Sequence, residues 1–201
     1  MSNIVTLLWT GGWDSTFRLL QLLHDTDARV QPLYLVDEER NSTPREIESM
    51  RTIRKMIQEK MPQEAEQLLP TDYGSYRATT MEPHHREQWE SLKERGRVGL
   101  QYPILASYAE QEGIERMELS VEGRSNSRST IITVLDPLVE RQETPGGVVP
   151  TLPQEVEPPE AMLKCFSFPT MYYTKLDMRR EAERREWMPI MEQTRFCHTP
   201  I

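Results

Sequence analysis

A short apolar run that breaks at a double glycine and resumes as a helix constrains this chain more than any other feature. Asn3 to Trp9 is apolar with β-branched members, the pattern of a strand buried on both faces. Thr10-Gly11-Gly12-Trp13-Asp14-Ser15 interrupts it. From Thr16 onward Phe17, Leu19, Leu20, Leu22 and Leu23 recur at helical spacing, which predicts a helix with a wide buried face. Val30-Gln31-Pro32-Leu33-Tyr34-Leu35-Val36 predicts a second strand. Strand, helix and strand make a right-handed βαβ unit and steer the chain to the α/β class with a mainly parallel sheet.

The remainder reads as further steps of the same kind within one domain, 1–201. Thr43-Pro44-Arg45-Glu46 has the form of a capping box, with proline in the first turn of a helix whose core face is Ile47, Met50, Ile53, Ile57 and Met61. Residues 62–99 form an irregular insert, with a short strand at Leu68-Leu69 and a polar helix near Arg86 to Lys93; such inserts are often lids or binding loops. Leu100 to Gly113 predicts a helix closed by glycine, followed by a strand over Ile114 to Val121. Residues 141–160 hold five prolines and Gly146-Gly147, the composition of a mobile loop or linker. Met162 to Phe168 predicts a strand, and Thr174 to Trp187 a charged helix with Thr174 and Asp177 in capping-box register.

Composition narrows the function classes. The 201 residues carry 24 Lys+Arg against 32 Asp+Glu, a net charge of −8, and the mean hydropathy is −0.66. No apolar run approaches the roughly 20 residues of a membrane span. The first residues lack the pattern of a signal peptide, so the expected compartment is the cytoplasm. A pI near 5.2 argues against broad nucleic-acid binding, and a polyanionic ligand must be held by local donors. The two cysteines, Cys165 and Cys197, are too few for a disulfide framework or for a four-cysteine zinc site within this chain.

The Gly-Gly turn between strand and helix is an anion cradle by construction. Glycines let backbone N–H groups approach phosphate oxygens, and the helix adds its unpaired N–H groups and positive dipole end. Thr10, Gly11, Gly12, Asp14, Ser15 and Thr16 are the candidate binding residues. Neither a Walker Gly-Lys-Ser/Thr nor a GxGxxG motif is present. The segment resembles the PP-loop of the ATP pyrophosphatases, Ser-Gly-Gly-x-Asp-Ser/Thr, with Thr10 in place of serine. That resemblance implies a Rossmann-like, adenine nucleotide alpha hydrolase-like sheet with helices on both faces. It also implies ATP as substrate, a pyrophosphate held by Gly11, Gly12, Asp14 and Ser15, and Mg2+ to neutralise it. Adenine would then stack at the end of the second strand, at Leu35, Val36 and Asp37.

A second resemblance lies at the other end. Phe168-Pro169-Thr170-Met171-Tyr172-Tyr173-Thr174-Lys175-Leu176-Asp177-Met178, a charged helix and Thr194-Arg195-Phe196-Cys197 are similar to the closing segment of 7-cyano-7-deazaguanine synthases. The likeness implies that Lys175 supports the ATP phosphates, that Asp14 and Lys175 are the catalytic pair, and that Cys197 opens a Zn2+ site. Family members complete that site with a Cys-Gly-x-Cys-x-x-Cys stretch, so either a native product longer than 201 residues, the favoured expectation, or loss of the zinc site follows. The loop Gly123-Arg124-Ser125-Asn126-Ser127-Arg128 occupies the family's substrate-reading position, making Arg124, Ser125, Asn126 and Arg128 candidate substrate residues, with Arg124 and Arg128 either bidentate carboxylate binders or surface charges. The family's Tyr-Pro-Asp-Cys-Arg sequence is absent from it. The implied activity is adenylation of 7-carboxy-7-deazaguanine and amination by ammonia to the nitrile, in queuosine biosynthesis, by a possible homodimer. Open alternatives are a tRNA-modifying or other PP-loop adenylating enzyme, and a catalytically idle nucleotide sensor or subunit of a modification or defence system. His84 and His85 fall in the insert as surface residues or a cover for the nucleotide. Cys165 is a buried strand cysteine or a sulfur-transfer thiol, and Glu46 a cap or the match to a family glutamate.

Overall fold

The computed structural model describes residues 3–96, 98–123 and 130–194. The opening apolar run forms strand β1 (Ile4–Leu8), the Gly-Gly break leads into helix α1 (Trp13–Asp25), and the second run forms β2 (Arg29–Val36). β1 and β2 pair in parallel from Ile4↔Arg29 to Leu8↔Leu33, completing the expected βαβ unit. Helix α2 (Thr43–Lys60) follows, then β3 (Asp72–Ser75), α3 (Pro83–Arg95), α4 (Gln101–Gln111), β4 (Met117–Glu118) and α5 (Thr130–Leu135). The chain continues through β5 (Glu140–Thr144), β6 (Gly147–Thr151), β7 (Phe166–Ser167), α6 (Lys175–Arg184) and the short α7 (Met188–Met191).

Among the described residues the strands form one sheet in the order β3-β2-β1-β4-β7-β6-β5. β3 through β7 run parallel, and the β6–β5 hairpin adds an antiparallel edge. Side chains alternate across the strands into two cores. Val5, Leu7, Val30 and Tyr34 face α1, α2, α6 and α7, whereas Leu33, Leu35, Met117, Phe166 and Phe168 face α3, α4 and α5. The order reverses at β1, whose neighbours β2 and β4 leave it in opposite directions, and α/β sheets bind ligands at the carboxyl side of such a switch point.

Several sequence expectations change. Leu68 makes only an isolated bridge to Val30, and the strand lies at Asp72–Ser75 instead. The strand expected over 114–121 is ladder-paired only at Met117–Glu118, and that expected over 162–168 only at Phe166–Ser167, after a 3-10 turn at Glu160–Leu163. The proline-rich stretch is not a linker at its start: residues 140–151 form a hairpin turning at Pro145-Gly146. Gly147 takes φ +92°, and Gly146 N–H donates to Thr144 Oγ1 at 3.2 Å. The Thr43–Glu46 capping box is not made. Helix α2 has Ser42 at its N-cap without a side-chain cap, and the Ser42 hydroxyl donates to Glu46 Oε1 at 2.9 Å instead. The Glu46 carboxylate is buried, accepting Tyr34 Oη–H at 2.8 Å, with Arg40 at 3.3 Å. The Thr174–Asp177 box is formed as expected, and Gly113 closes α4 at φ +64°. Among the described residues no helix is long and apolar enough to cross a membrane.

Candidate active site at the sheet switch point

The Gly-Gly loop is folded on itself before any ligand is considered. Thr10 N–H donates to Ser15 Oγ at 3.4 Å, and that hydroxyl lies 3.4 Å from the Gly12 carbonyl and 3.5 Å from Thr10 Oγ1. Gly11 adopts φ +67°, and a Cβ there would meet the Glu46 carbonyl and Met50 Cγ at 3.1 Å, so glycine is needed both for the turn and for close packing on α2. Ser49 of α2 lies 3.3 Å from the Gly11 carbonyl and 2.6 Å from that of Gln193, which ties the loop to the segment following α7. Thr16 is fully buried and its hydroxyl accepts the Trp9 indole N–H at 3.1 Å; it braces the loop from beneath and faces no open space.

Helix α1 starts at Gly12 with no side-chain cap, and the first turn of any helix has N–H groups without intrahelical acceptors. Its second residue, Asp14, is ion-paired with Lys175, the first residue of α6. The Lys175 ammonium also lies 3.8 Å from Glu122 Oε2, while its backbone N–H donates to Glu122 Oε1 at 3.1 Å. The uncapped N-terminus of α1, the N-terminus of α6 and the segment leaving β4 therefore converge at the carboxyl end of the sheet. Burial pushes the Asp14 carboxyl above its usual range, the nearby Lys175 charge opposes that rise, and Glu122 reinforces it. A carboxylate shifted by burial and by a specific charged partner marks a candidate functional site.

The register of α1 explains why these groups meet. Asp14, Phe17 and Gln21 lie on one side of the helix at spacings of three and four. Phe17 packs on Tyr173 with ring centroids 5.5 Å apart, and Gln21 Nε2 donates to Tyr173 Oη at 3.3 Å. Tyr173 immediately precedes the Thr174–Asp177 cap, so seating its ring on α1 sets where Lys175 emerges. Gly123 completes the arrangement: a Cβ there would fall 1.3 Å from the Met171 carbonyl oxygen, so only glycine lets residues 168–173 lie against the end of β4.

At the end of β2 the three expected residues differ: the Asp37 carbonyl accepts the Thr43 hydroxyl at 2.7 Å. The Val36 carbonyl already accepts Tyr76 N–H at 2.8 Å. Alternation turns the backbone of Leu35 the other way, toward β1, past the last bond of that ladder, Trp9 N–H to the Leu33 carbonyl at 2.9 Å.

The site thus brings together Thr10, Gly11, Gly12, Asp14, Ser15 and Lys175. Glu122 was missed from sequence; its signal is an acidic residue before a glycine at the end of a strand. Arg124, Ser125, Asn126, Arg128 and Cys197 lie outside the described residues. Cys165 is a poor nucleophile: burial pushes its thiol up to about 12. No protein-family model matches this sequence, and no curated protein matches it.

Proposed function

We propose that this chain is an ATP-dependent ligase of the PP-loop type, built on a Rossmann-like sheet, which adenylates a carboxylate with release of pyrophosphate. The substrate carried by the resemblance is 7-carboxy-7-deazaguanine, with ammonia as second substrate. The observation that carries the reading is the meeting of Asp14 and Lys175 at the uncapped start of α1, on the switch point of a parallel sheet.

The residues divide the work by position. The N–H groups of Gly11, Gly12 and the first turn of α1 offer donors to phosphate oxygens. Lys175, half-exposed between the Asp14 and Glu122 carboxylates, supplies the positive charge that moves onto the polyphosphate when ATP enters. The backbone of Leu35 is available to the adenine edge. The Asp14 and Glu122 carboxylates and the Ser15 hydroxyl are hard oxygen donors, the set that suits Mg2+, which when bound neutralises phosphate charge. Among the described residues no side chain is assigned as a general base, and the proposed catalysis rests on orientation and electrostatic stabilisation.

The test is AMP release from ATP by the full chain with magnesium and ammonium, with and without 7-carboxy-7-deazaguanine. AMP that depends on the deazaguanine, and falls at least about 100-fold in Lys175→Ala, supports the proposal. AMP formed without it retains the adenylating chemistry and moves the acceptor elsewhere. No AMP under any condition overturns the ligase reading in favour of an idle nucleotide-binding subunit.

A further inference from the structure

On the face of the sheet opposite α1, the first turn of α3 meets the end of α4. His84 Nε2 lies 3.1 Å and His85 Nε2 3.5 Å from the same oxygen, Oε2 of Glu110. The two imidazole centroids are 4.1 Å apart. Nitrogen and oxygen atoms of all three side chains fall within 4.8 Å of one another. His85 is buried, whereas the His84 and Glu110 side chains are 50% and 53% exposed.

Hydrogen-bond accounting at Ser107 decides where the His85 ring hydrogen sits. Ser107 has one hydroxyl hydrogen, and it goes to the Pro103 carbonyl at 2.7 Å. Its oxygen accepts the Glu82 backbone N–H at 2.9 Å. His85 Nδ1, 3.0 Å from that oxygen, can therefore approach only as an N–H donor. A neutral His85 then presents a bare lone pair at Nε2, toward a carboxylate oxygen that His84 Nε2 also faces. The His85 lone pair facing this carboxylate is repulsive, and a cation between them relieves it whichever tautomer His84 adopts. Three donor atoms this close together can be engaged by one divalent ion.

We propose that His84, His85 and Glu110 form a zinc-binding site. Two imidazole nitrogens and one carboxylate oxygen are an ordinary donor set for Zn2+, with a remaining position open to water. Ser107 is the positioning residue: it fixes the His85 tautomer and ring plane, as outer partners of metal-bound histidines do. The ion ties α3 to α4 and is separate from the candidate site at the carboxyl end of the sheet.

The full chain, stripped with a chelator and dialysed, is titrated with Co2+ and then Zn2+. Ligand-field absorption reports the cobalt site, and calorimetry gives the zinc stoichiometry and affinity. His84→Ala and Glu110→Ala alter half-exposed side chains and should retain the wild-type circular dichroism spectrum, and Cys197→Ser controls for the thiol outside the described residues. The expected result is one Zn2+ per chain in wild type and Cys197→Ser, weakened at least about tenfold in each of the other two variants. No binding by the wild type, unchanged affinity in both variants, or loss only in Cys197→Ser overturns the proposal.

Discussion

Glu118→Leu is the substitution whose cost follows most directly from the structure. Arg18 on α1 and Glu118 on β4 are 7% and 3% exposed, and they form a two-pronged pair: Nε to Oε2 at 2.7 Å and Nη2 to Oε1 at 2.8 Å. Nη2 also donates to the Gly146 carbonyl at 2.7 Å, which draws the β5–β6 turn onto the pair. A Cβ at Gly146 would stand 2.6 Å from Glu118 Oε1 and 2.9 Å from Arg18 Nη2, so the turn packs closely over these charges. Leucine at 118 leaves the guanidinium buried with one carbonyl, a loss of about 3–5 kcal/mol for breaking a buried pair. Against a typical total of about 5–15 kcal/mol this is a large fraction. With a urea m-value of about 2–3 kcal/mol/M, the midpoint falls by about 1–2.5 M. The double variant Arg18→Met/Glu118→Leu removes both charges and should recover most of the loss. It does not exceed wild type, because the Gly146 bond is also gone. The assay is urea unfolding followed by tryptophan fluorescence. A single variant within about 1 kcal/mol of wild type, or a double variant as unstable as the single, would refute the reasoning.

Two further outcomes follow from the candidate site. Gly123→Ala directs a Cβ at the Met171 carbonyl, a backbone group that no rotamer change can move, so unfolding should cost about 2–3 kcal/mol less. An unchanged urea midpoint would mean that residues 168–173 do not rest on the end of β4. Because the Asp14 pKa is raised above its ordinary 3.8, the folded state binds more protons than the unfolded chain just above that pH. Its contribution to stability is therefore full below about pH 3.8 and is lost as pH rises through the raised value. Asn at 14 abolishes this component: wild-type stability relative to Asp14→Asn should decline as pH rises across that window, measured by urea unfolding at a series of pH values. A relative stability that is flat or rises there contradicts the desolvation of Asp14.

The first βαβ unit was legible because both runs are apolar and the helix between them keeps a steady spacing; burial and periodicity there say the same thing. The Thr174–Asp177 cap was legible because a capping box is local. The β5–β6 hairpin was not, since Glu140, Arg141, Gln142, Glu143 and Thr144 show no apolar alternation on an edge strand, and the neighbouring prolines suggest a loop. Pro150 is tolerated in β6 while its carbonyl accepts Phe168 N–H at 2.8 Å. The α2 cap was misread because Glu46 is engaged by tertiary partners, Tyr34 and Arg40, that no local pattern reveals. At the site, the loop residues and Lys175 were readable from their motifs. Glu122 was not, because its role depends on the meeting of β4 and α6, which are 53 residues apart at the Lys175–Glu122 bond.

Helix α1 accounts for the common dependence of these features. From adjacent positions it sends Asp14 to Lys175, Phe17 and Gln21 to Tyr173, and Arg18 to Glu118. The first three contacts hold the chain entering α6, and the last holds β4, the strand whose continuation carries Glu122. A rotation or axial slip of α1 therefore disturbs every charged group of the site together. Lys175 itself stands at a helix N-terminus, where the dipole opposes a positive charge and the cap is already made by Thr174 and Asp177. What keeps it there is the pair of carboxylates from α1 and the end of β4, not its own helix. Under the proposed ligase reading, a cation held by opposing side chains and opposed by its own helix exchanges those carboxylates for an incoming polyanion with little rearrangement of the backbone.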